Sequence, residues 1–273
     1  MTLDIVSAGA AASGLHLAPE ALLQMGRFVD LLLAANQRLN LTRIVEPAEI
    51  ERRHLLDSLT CALPVLEQLQ AGAAWRCLDV GSGGGLPGIP LAIAFPALNV
   101  TLLEATGRKA AFLREAVGTL DLPNVSVVAA RAEDAARDPA HRDAYDLVVA
   151  RALAPLDVAL EWCLPFVKTG GVLILPRGSD VTAQLPGGWV AAKALSARVR
   201  PPLPLELADL PPGRALVVAD KLGRTPRAYP RQAGLASKLP LGGARPPDGT
   251  KSSGGAQPFG GARPPGDGRS PEA

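Results

Sequence analysis

"CLDVGSGGGLPGIPLAIAFP", Cys77 to Pro96, is the stretch on which the reading of this chain turns. Four glycines fall within residues 81–85, directly behind an apolar run that carries Asp79, and an apolar helical pattern follows. A strand, a glycine loop and a helix in that order bring backbone N–H groups up to a ligand with no side chains between. Gly83, Gly85 and Gly88 match the dinucleotide pattern GxGxxG in form, but the match begins beyond Gly81, two residues past the strand end. No Lys followed by Ser or Thr comes directly after the glycines, which disfavours a nucleoside triphosphate.

Outward from this loop, short runs rich in Val, Leu and Ile alternate with helical patterns. "RCLDV" (76–80), "NVTLLE" (99–104), "NVSVVAA" (124–130), "YDLVVARAL" (145–153) and "GGVLILP" (170–176) are strand candidates, with "GRKAAFLREAVGTL" and "PLDVALEWCLPFV" as helices between them. That alternation predicts βαβ units and a parallel sheet covered on both faces. Further strands are expected in "WVAAKALSARV" (189–199) and "RALVVADKL" (214–222), with a proline-rich, irregular connection between them. Before the sheet, "PEALLQMGRFVDLLLAANQRL" (19–39) repeats apolar residues at spacings of three and four, and a second helix is expected after Glu46, where Pro47 suits a first turn.

The expected organisation is a helical cap over residues 1–72, an α/β domain over 73–222, a basic segment over 223–241 and a disordered Gly/Pro-rich tail over 242–273. With 48% hydrophobic and 20% charged residues in 273, a soluble globular protein is expected. The 28 Lys and Arg nearly balance 26 Asp and Glu, so any nucleic-acid surface must come from local clustering. Three well-separated cysteines, Cys61, Cys77 and Cys163, argue against a disulfide framework and a zinc site, and no metal is expected. No apolar stretch is long enough for a signal or membrane segment, so a cytoplasmic protein is expected.

Asp79 is the discriminating residue in the loop. A carboxylate there would repel a dinucleotide's diphosphate but would attract an ammonium group, and S-adenosyl-L-methionine carries one. Glu104, at the end of the next strand, is placed to accept hydrogen bonds from ribose hydroxyls, although its spacing from Asp79 suits either cofactor. Glu133 follows the third strand, where adenine lies in methyltransferases of this architecture; helix capping is the ordinary alternative for such acids.

With these pieces in place the sequence resembles the RsmG (GidB) family of bacterial 16S rRNA guanine-N7 methyltransferases. The resemblance runs through "NQRLNLTRIVEPAEIERRHLLDSL" (36–59), the Leu86-Pro87-Gly88-Ile89-Pro90 run, "LLEATGRKAAFLRE", with Glu104 where Asp is more usual, "VVARALAPL" and "TPRAYPRQAGLASKLPL". It covers residues 19–241; the stretch from Gly242 onward matches nothing in the family. The resemblance implies a class I, Rossmann-like S-adenosylmethionine-dependent methyltransferase sheet. It also implies cofactor contacts at Gly81, Leu86, Ala132, Glu133 and Arg151, beside Asp79, Gly83, Gly85 and Glu104 of the loop reading.

Guanine N7 has a lone pair and no proton, so the implied chemistry needs no general base, and no catalytic side chain is assigned. Consistent with this, the chain has no Asn/Asp-Pro-Pro-Tyr/Phe motif and no Pro-Cys nucleophile; the corresponding segment reads "ARALAPL". His54 is expected to be structural, and Trp75, Trp162 and Trp189 to pack in or near the core. RNA-contact candidates are Arg38, Arg43, Arg53, Arg108 and Lys109, with Arg224, Arg227 and Arg231 of the basic segment. The expected partner is 16S rRNA in the small ribosomal subunit, and the expected state is a monomer. Three other readings stay open on sequence alone: a same-fold methyltransferase acting on a small molecule or protein, an NAD-binding oxidoreductase, and a non-catalytic ribosome-assembly factor.

Overall fold

The computed structural model describes residues 2–243. The sheet contains β1 (Arg76–Val80), β2 (Asn99–Leu103), β3 (Val125–Val128), β4 (Tyr145–Val149), β5 (Val167–Arg177), β6 (Ala197–Val199), β7 (Leu203–Pro204) and β8 (Ala215–Lys221). Its order is β3-β2-β1-β4-β5-β8-β6, with β7 paired to β8. Strands β1 to β5 are mutually parallel, as the alternating pattern predicts, and β8 runs antiparallel to both β5 and β6. The antiparallel strand departs from the dinucleotide-binding order 3-2-1-4-5-6, which weakens the oxidoreductase reading. Strand order reverses between β1 and β4, and ligands of open α/β sheets bind outside the carboxyl ends of the strands at such a point.

The helices are α1 (Asp4–Ala12), α2 (Pro19–Leu39), α3 (Pro47–Ile50), α4 (Asp57–Leu59) and α5 (Leu66–Gln70) before the sheet. Within and after it come α6 (Gly88–Ala94), α7 (Gly107–Thr119), α8 (Ala132–Ala135), α9 (Leu156–Cys163), α10 (Val181–Ala194) and α11 (Leu235–Lys238). Helix α2 has the bounds expected from its apolar spacing: Pro19 opens it, Met25, Phe28, Val29, Leu32 and Ala35 are buried along one stripe, and Asn40 closes it in the left-handed conformation with φ +50°.

Side chains alternate between two cores as the strand period requires. Cys77 of β1 and Val172 and Ile174 of β5 face one core, which Met25, Phe28 and Leu32 of α2 and Ile50 of α3 complete. Leu78 and Val80 of β1 with Leu173 and Leu175 of β5 face the other, filled by Leu156 and Leu160 of α9 and Ala191 and Ala192 of α10. The N-terminal helices therefore share a hydrophobic core with the sheet.

Two expectations are corrected. The first part of "WVAAKALSARV" is the end of α10, and only Ala197–Val199 is strand. Ala191 and Ala192 are small enough to pack α10 closely on α9, and their burial within the helix outweighs the strand-like composition. Trp189 is exposed, not in the core, as is its neighbour Val190. Helix α1 was not anticipated; buried Glu51 supplies its missing cap, accepting the Ile5 and Val6 N–H groups at 2.9 and 3.2 Å. Glu51 opens a π-helical turn, Glu51–Leu56, that leads from α3 into α4. Apart from its first two residues, the tail expected to be disordered lies outside the described residues. Among the described residues no helix is long and apolar enough to cross a membrane, and no group of three or more His, Cys, Asp or Glu could hold a metal ion.

Candidate active site

Register places the site. Asp79 pairs with Leu102 on β2 and with Val149 on β4, so the ends of three strands lie side by side at the switch point. Beyond Asp79, Gly81, Gly83 and Gly85 take positive φ of +73°, +55° and +88°, which lets the loop fold back over the strand ends. Gly88 opens α6 directly over Asp79: a Cβ there would lie 2.9 Å from Asp79 Oδ2 and would also strike Leu102. Leu86, next to this turn, is buried.

The two acids predicted from the loop hold it in place. Asp79 is fully buried; its Oδ2 accepts the Gly88 N–H at 3.0 Å, and its Oδ1 has no partner among the described residues. Burial pushes its carboxyl up to about 7, against the pull of the Gly88 hydrogen bond. Glu104 accepts the Gly83 N–H at 2.9 Å through Oε2 and the Thr106 N–H at 2.7 Å through Oε1. Each oxygen keeps a further lone pair for a ligand hydroxyl. Glu133, at the start of α8, is buried and accepts the Gly234 N–H at 3.2 Å.

Two cavities flank the segment after β4. On one side a pocket of about 160 Å³ is lined by Gly81, Ala105, Ala132, Glu133, Leu153 and Trp162 among others. Trp162, expected in or near the core, is half-buried on this wall, and its indole N–H has no partner among the described residues. On the other side a cleft of about 840 Å³ is lined by Arg43, Arg53, His54, Arg151, Arg177 and Arg214, with Asp57 and Asp180 as its acids. Ala152 and Leu153 divide the two, and Ala152 sits at φ +51°, a conformation that non-glycine residues seldom adopt.

Buried Asp57 organises the cleft. Its Oδ1 accepts Arg214 Nε at 2.9 Å as well as Nη2, and its Oδ2 lies 3.3 Å from Arg151 Nη1, which also donates to the Arg53 carbonyl at 2.6 Å. His54 is buried beside them, with Nε2 2.7 Å from Thr42 Oγ1. Burial, with the Arg151 charge second, lowers its pKa to about 4, so it is neutral near pH 7. Arg177 donates to the Ala154 carbonyl at 2.6 Å, and its Nε is buried without a partner among the described residues.

The structure thus gathers Gly81, Ala132 and Glu133 at the small pocket, with Asp79, Gly83, Gly85, Leu86 and Glu104 in the loop and strand end beside it. Arg151 lies on the cleft side. Of the basic candidates, Arg53 and Arg43 line the cleft. Arg108 is exposed and Lys109 half-buried in the first turn of α7, and Arg227 is exposed. Arg224 is exposed 3.5 Å from Asp143. Arg231 is half-buried and paired, its Nε 2.8 Å from Oε1 of buried Glu161. Sequence reasoning missed Asp57, Arg177 and Arg214. His54 and Asp57, three apart on a helix, share a face. Arg177 ends β5, and the antiparallel register pairs it with Ala215, which brings Arg214 to the same edge.

The profile of one family, GidB, described as rRNA small subunit methyltransferase G, matches residues 21–197. Three relatives carry the name "Ribosomal RNA small subunit methyltransferase G". The one from Roseiflexus castenholzii is 43% identical over 84% of this chain and 95% of its own. That from Dehalococcoides mccartyi is 39% identical over 85% and 97%. That from Leuconostoc citreum is 38% identical over 88% and 100%.

Proposed function

This chain belongs to the rRNA small subunit methyltransferase G family, and from that membership we propose that it transfers the methyl group of S-adenosylmethionine to N7 of a guanine in 16S rRNA. The observation that carries the reading is the pair of unequal cavities at the switch point, divided only by the segment after β4. The small one suits the cofactor's adenosine, and the cationic one suits a nucleotide of a polyanion.

The residues present fit the cofactor. Asp79 has a buried carboxylate oxygen without a partner among the described residues, the complement of an ammonium group. Gly81 forms a cradle that a Cβ would fill, since it would come within 2.6 Å of Leu153 Cδ1. Glu104 accepts from the ribose, and Ala132 and Glu133 border the adenine. Arg151, across the dividing segment, answers the cofactor's carboxylate.

When bound, S-adenosylmethionine supplies a methyl carbon on a sulfonium; the N7 lone pair forms the new bond, and the electrons of the broken S–C bond stay on sulfur. No proton moves at N7, so the chain needs no base there. Its task is to hold the partners in line, which can contribute several kcal/mol. Arg177, tied to the Ala154 carbonyl, fixes the dividing segment, and Arg53 and Arg43 hold RNA phosphates at the mouth of the cleft. The protein works as a monomer in the cytoplasm, on the small subunit or its assembling precursor.

The test is incubation with labelled S-adenosylmethionine and small subunits from a strain lacking the gene, followed by N7-specific cleavage and mass spectrometry. One N7-methylguanine in 16S rRNA is expected. Methyl transfer to another atom, or to protein, would overturn the assignment.

A further inference from the structure

We infer that the segment after β8, up to α11, is a strap that sets the adenine end of the cofactor site, with Arg231 as a positioning residue for Glu133. The inference rests on the cofactor reading above and deepens it. The strap is anchored along its whole course. Lys221, buried at the end of β8 where the strap leaves it, donates to the Leu195 carbonyl at 2.9 Å and to Thr225 Oγ1. Arg142 clasps four carbonyls, those of Ala136, Thr225, Pro226 and Tyr229, at 2.8 to 3.2 Å. Arg137 adds the Pro230 carbonyl at 3.0 Å. Both arginines follow α8, the helix that carries Glu133, so the strap and the adenine wall are tied into one unit.

Arg231 is the next fastening. Its backbone N–H and its Nε reach Glu161 Oε1 at 3.0 and 2.8 Å, and its guanidinium also spans Oε2. Glu161 is 1% exposed and adjoins Trp162 on the pocket wall. A bidentate pair of this kind fixes direction as well as distance. Three residues on, Gly234 at φ +80° turns its N–H onto Glu133 Oε1. With Oε1 fixed, Oε2 is left to accept a hydrogen bond from the pocket, and the adenine N6 amine is the matching donor. The arginine that the sequence offered to RNA is thereby assigned to cofactor recognition.

The test compares binding of S-adenosylhomocysteine and S-inosylhomocysteine by calorimetry. The inosine analogue replaces the N6 donor with an oxygen that a carboxylate repels. Wild-type protein is expected to prefer the adenosine compound by about tenfold or more, the worth of a charge-assisted hydrogen bond. Removing Arg231 alone would strand a buried carboxylate, so the variant is Arg231→Gln with Glu161→Gln, which removes both charges together, the second change being isosteric and the first a shortening. Circular dichroism and melting establish that it is folded. The preference is expected to fall toward unity, a change that mere loosening of the fold would not produce. A folded variant with the wild-type preference overturns the strap's role and leaves the cofactor reading intact. Wild-type protein that binds neither compound overturns the cofactor reading and this inference with it; equal binding of both by wild type removes Glu133 from adenine recognition.

Discussion

Asp79→Asn is expected to make the protein more stable and less able to bind its cofactor at the same time. Asp79 is fully buried, with one oxygen on the Gly88 N–H and the other unpartnered, and burial raises its pKa from 3.8 to about 7. The sign follows from linkage: between these values the unfolded chain has released a proton that the folded chain retains, so stability falls as pH rises through that range and stays reduced above it. Three pKa units correspond to about 4 kcal/mol. Asparagine is nearly isosteric, keeps an acceptor for Gly88 and has no charge to bury, yet its own amide remains short of a partner, so about half of this is recovered, or about 2 kcal/mol. For a chain of this size that is a rise of about 4 to 8 °C in melting temperature at pH 8. At pH 3 the two proteins should melt much closer together, because Asp79 is then protonated in both states. The cofactor's ammonium loses its counter-charge, which weakens binding by about 2 kcal/mol, or roughly thirtyfold in Kd. Scanning calorimetry without ligand at both pH values, and titration with S-adenosylhomocysteine at pH 8, measure both effects. A variant that melts at or below wild type at pH 8 and binds the ligand equally well would refute the role given to Asp79.

In the wild type, cofactor affinity should increase as pH rises through about 7, with a proton released on binding; calorimetry in two buffers of different ionisation enthalpy would detect it, and zero release would remove the Asp79 contact. His54, with its pKa lowered from 6.5 to about 4, resists a proton that the unfolded chain takes up, so stability should decline as pH falls from 6.5 toward 4. His54→Gln should flatten that decline, by about 3 kcal/mol at most, in urea titrations across the range. Asp57→Asn leaves Arg151 and Arg214 without their shared counter-charge and should cost about 3 kcal/mol in denaturant unfolding; a cost under about 1 kcal/mol would mean that solvent already screens the pairs. Arg53→Ala should raise KM for small subunits and reduce the slope of log affinity against log salt by about 1, with cofactor Kd unchanged; an unchanged slope would take Arg53 off the RNA path.

What the sequence made legible is what local spacing controls. The βαβ alternation gives the parallel strands, because a strand buried on both faces must read as a continuous apolar run. The glycine loop and the acids Asp79 and Glu104 are legible for the same reason, since each lies within a few residues of a strand end. The cleft was less legible, because its residues come from separate parts of the chain: Arg43 and Asp57 from the N-terminal region, Arg151 and Arg177 after β4 and at the end of β5, and Arg214 before β8. Only the antiparallel insertion of β8 brings Arg214 beside Arg177, and no pattern in its own neighbourhood announces that direction. Arg231 is the reverse case. Its basic, proline-broken segment reads like an RNA-binding surface until the tertiary fold sets Glu161 against it.

Three buried polar side-chain atoms lack partners among the described residues, and they are Asp79 Oδ1, Trp162 Nε1 and Arg177 Nε. An unsatisfied buried group costs about 1 to 3 kcal/mol, so three scattered at random would be a plain loss of stability. They are not scattered. One lies under the glycine loop, one on the small pocket and one on the cleft, with strained Ala152 between the two cavities. A reaction that needs no base leaves a protein little to contribute except fixed dipoles and fixed distances, and those are worth most when they are set before the ligands arrive. The cofactor and its analogues are therefore expected to raise the melting temperature by giving Asp79 Oδ1 and Trp162 Nε1 partners.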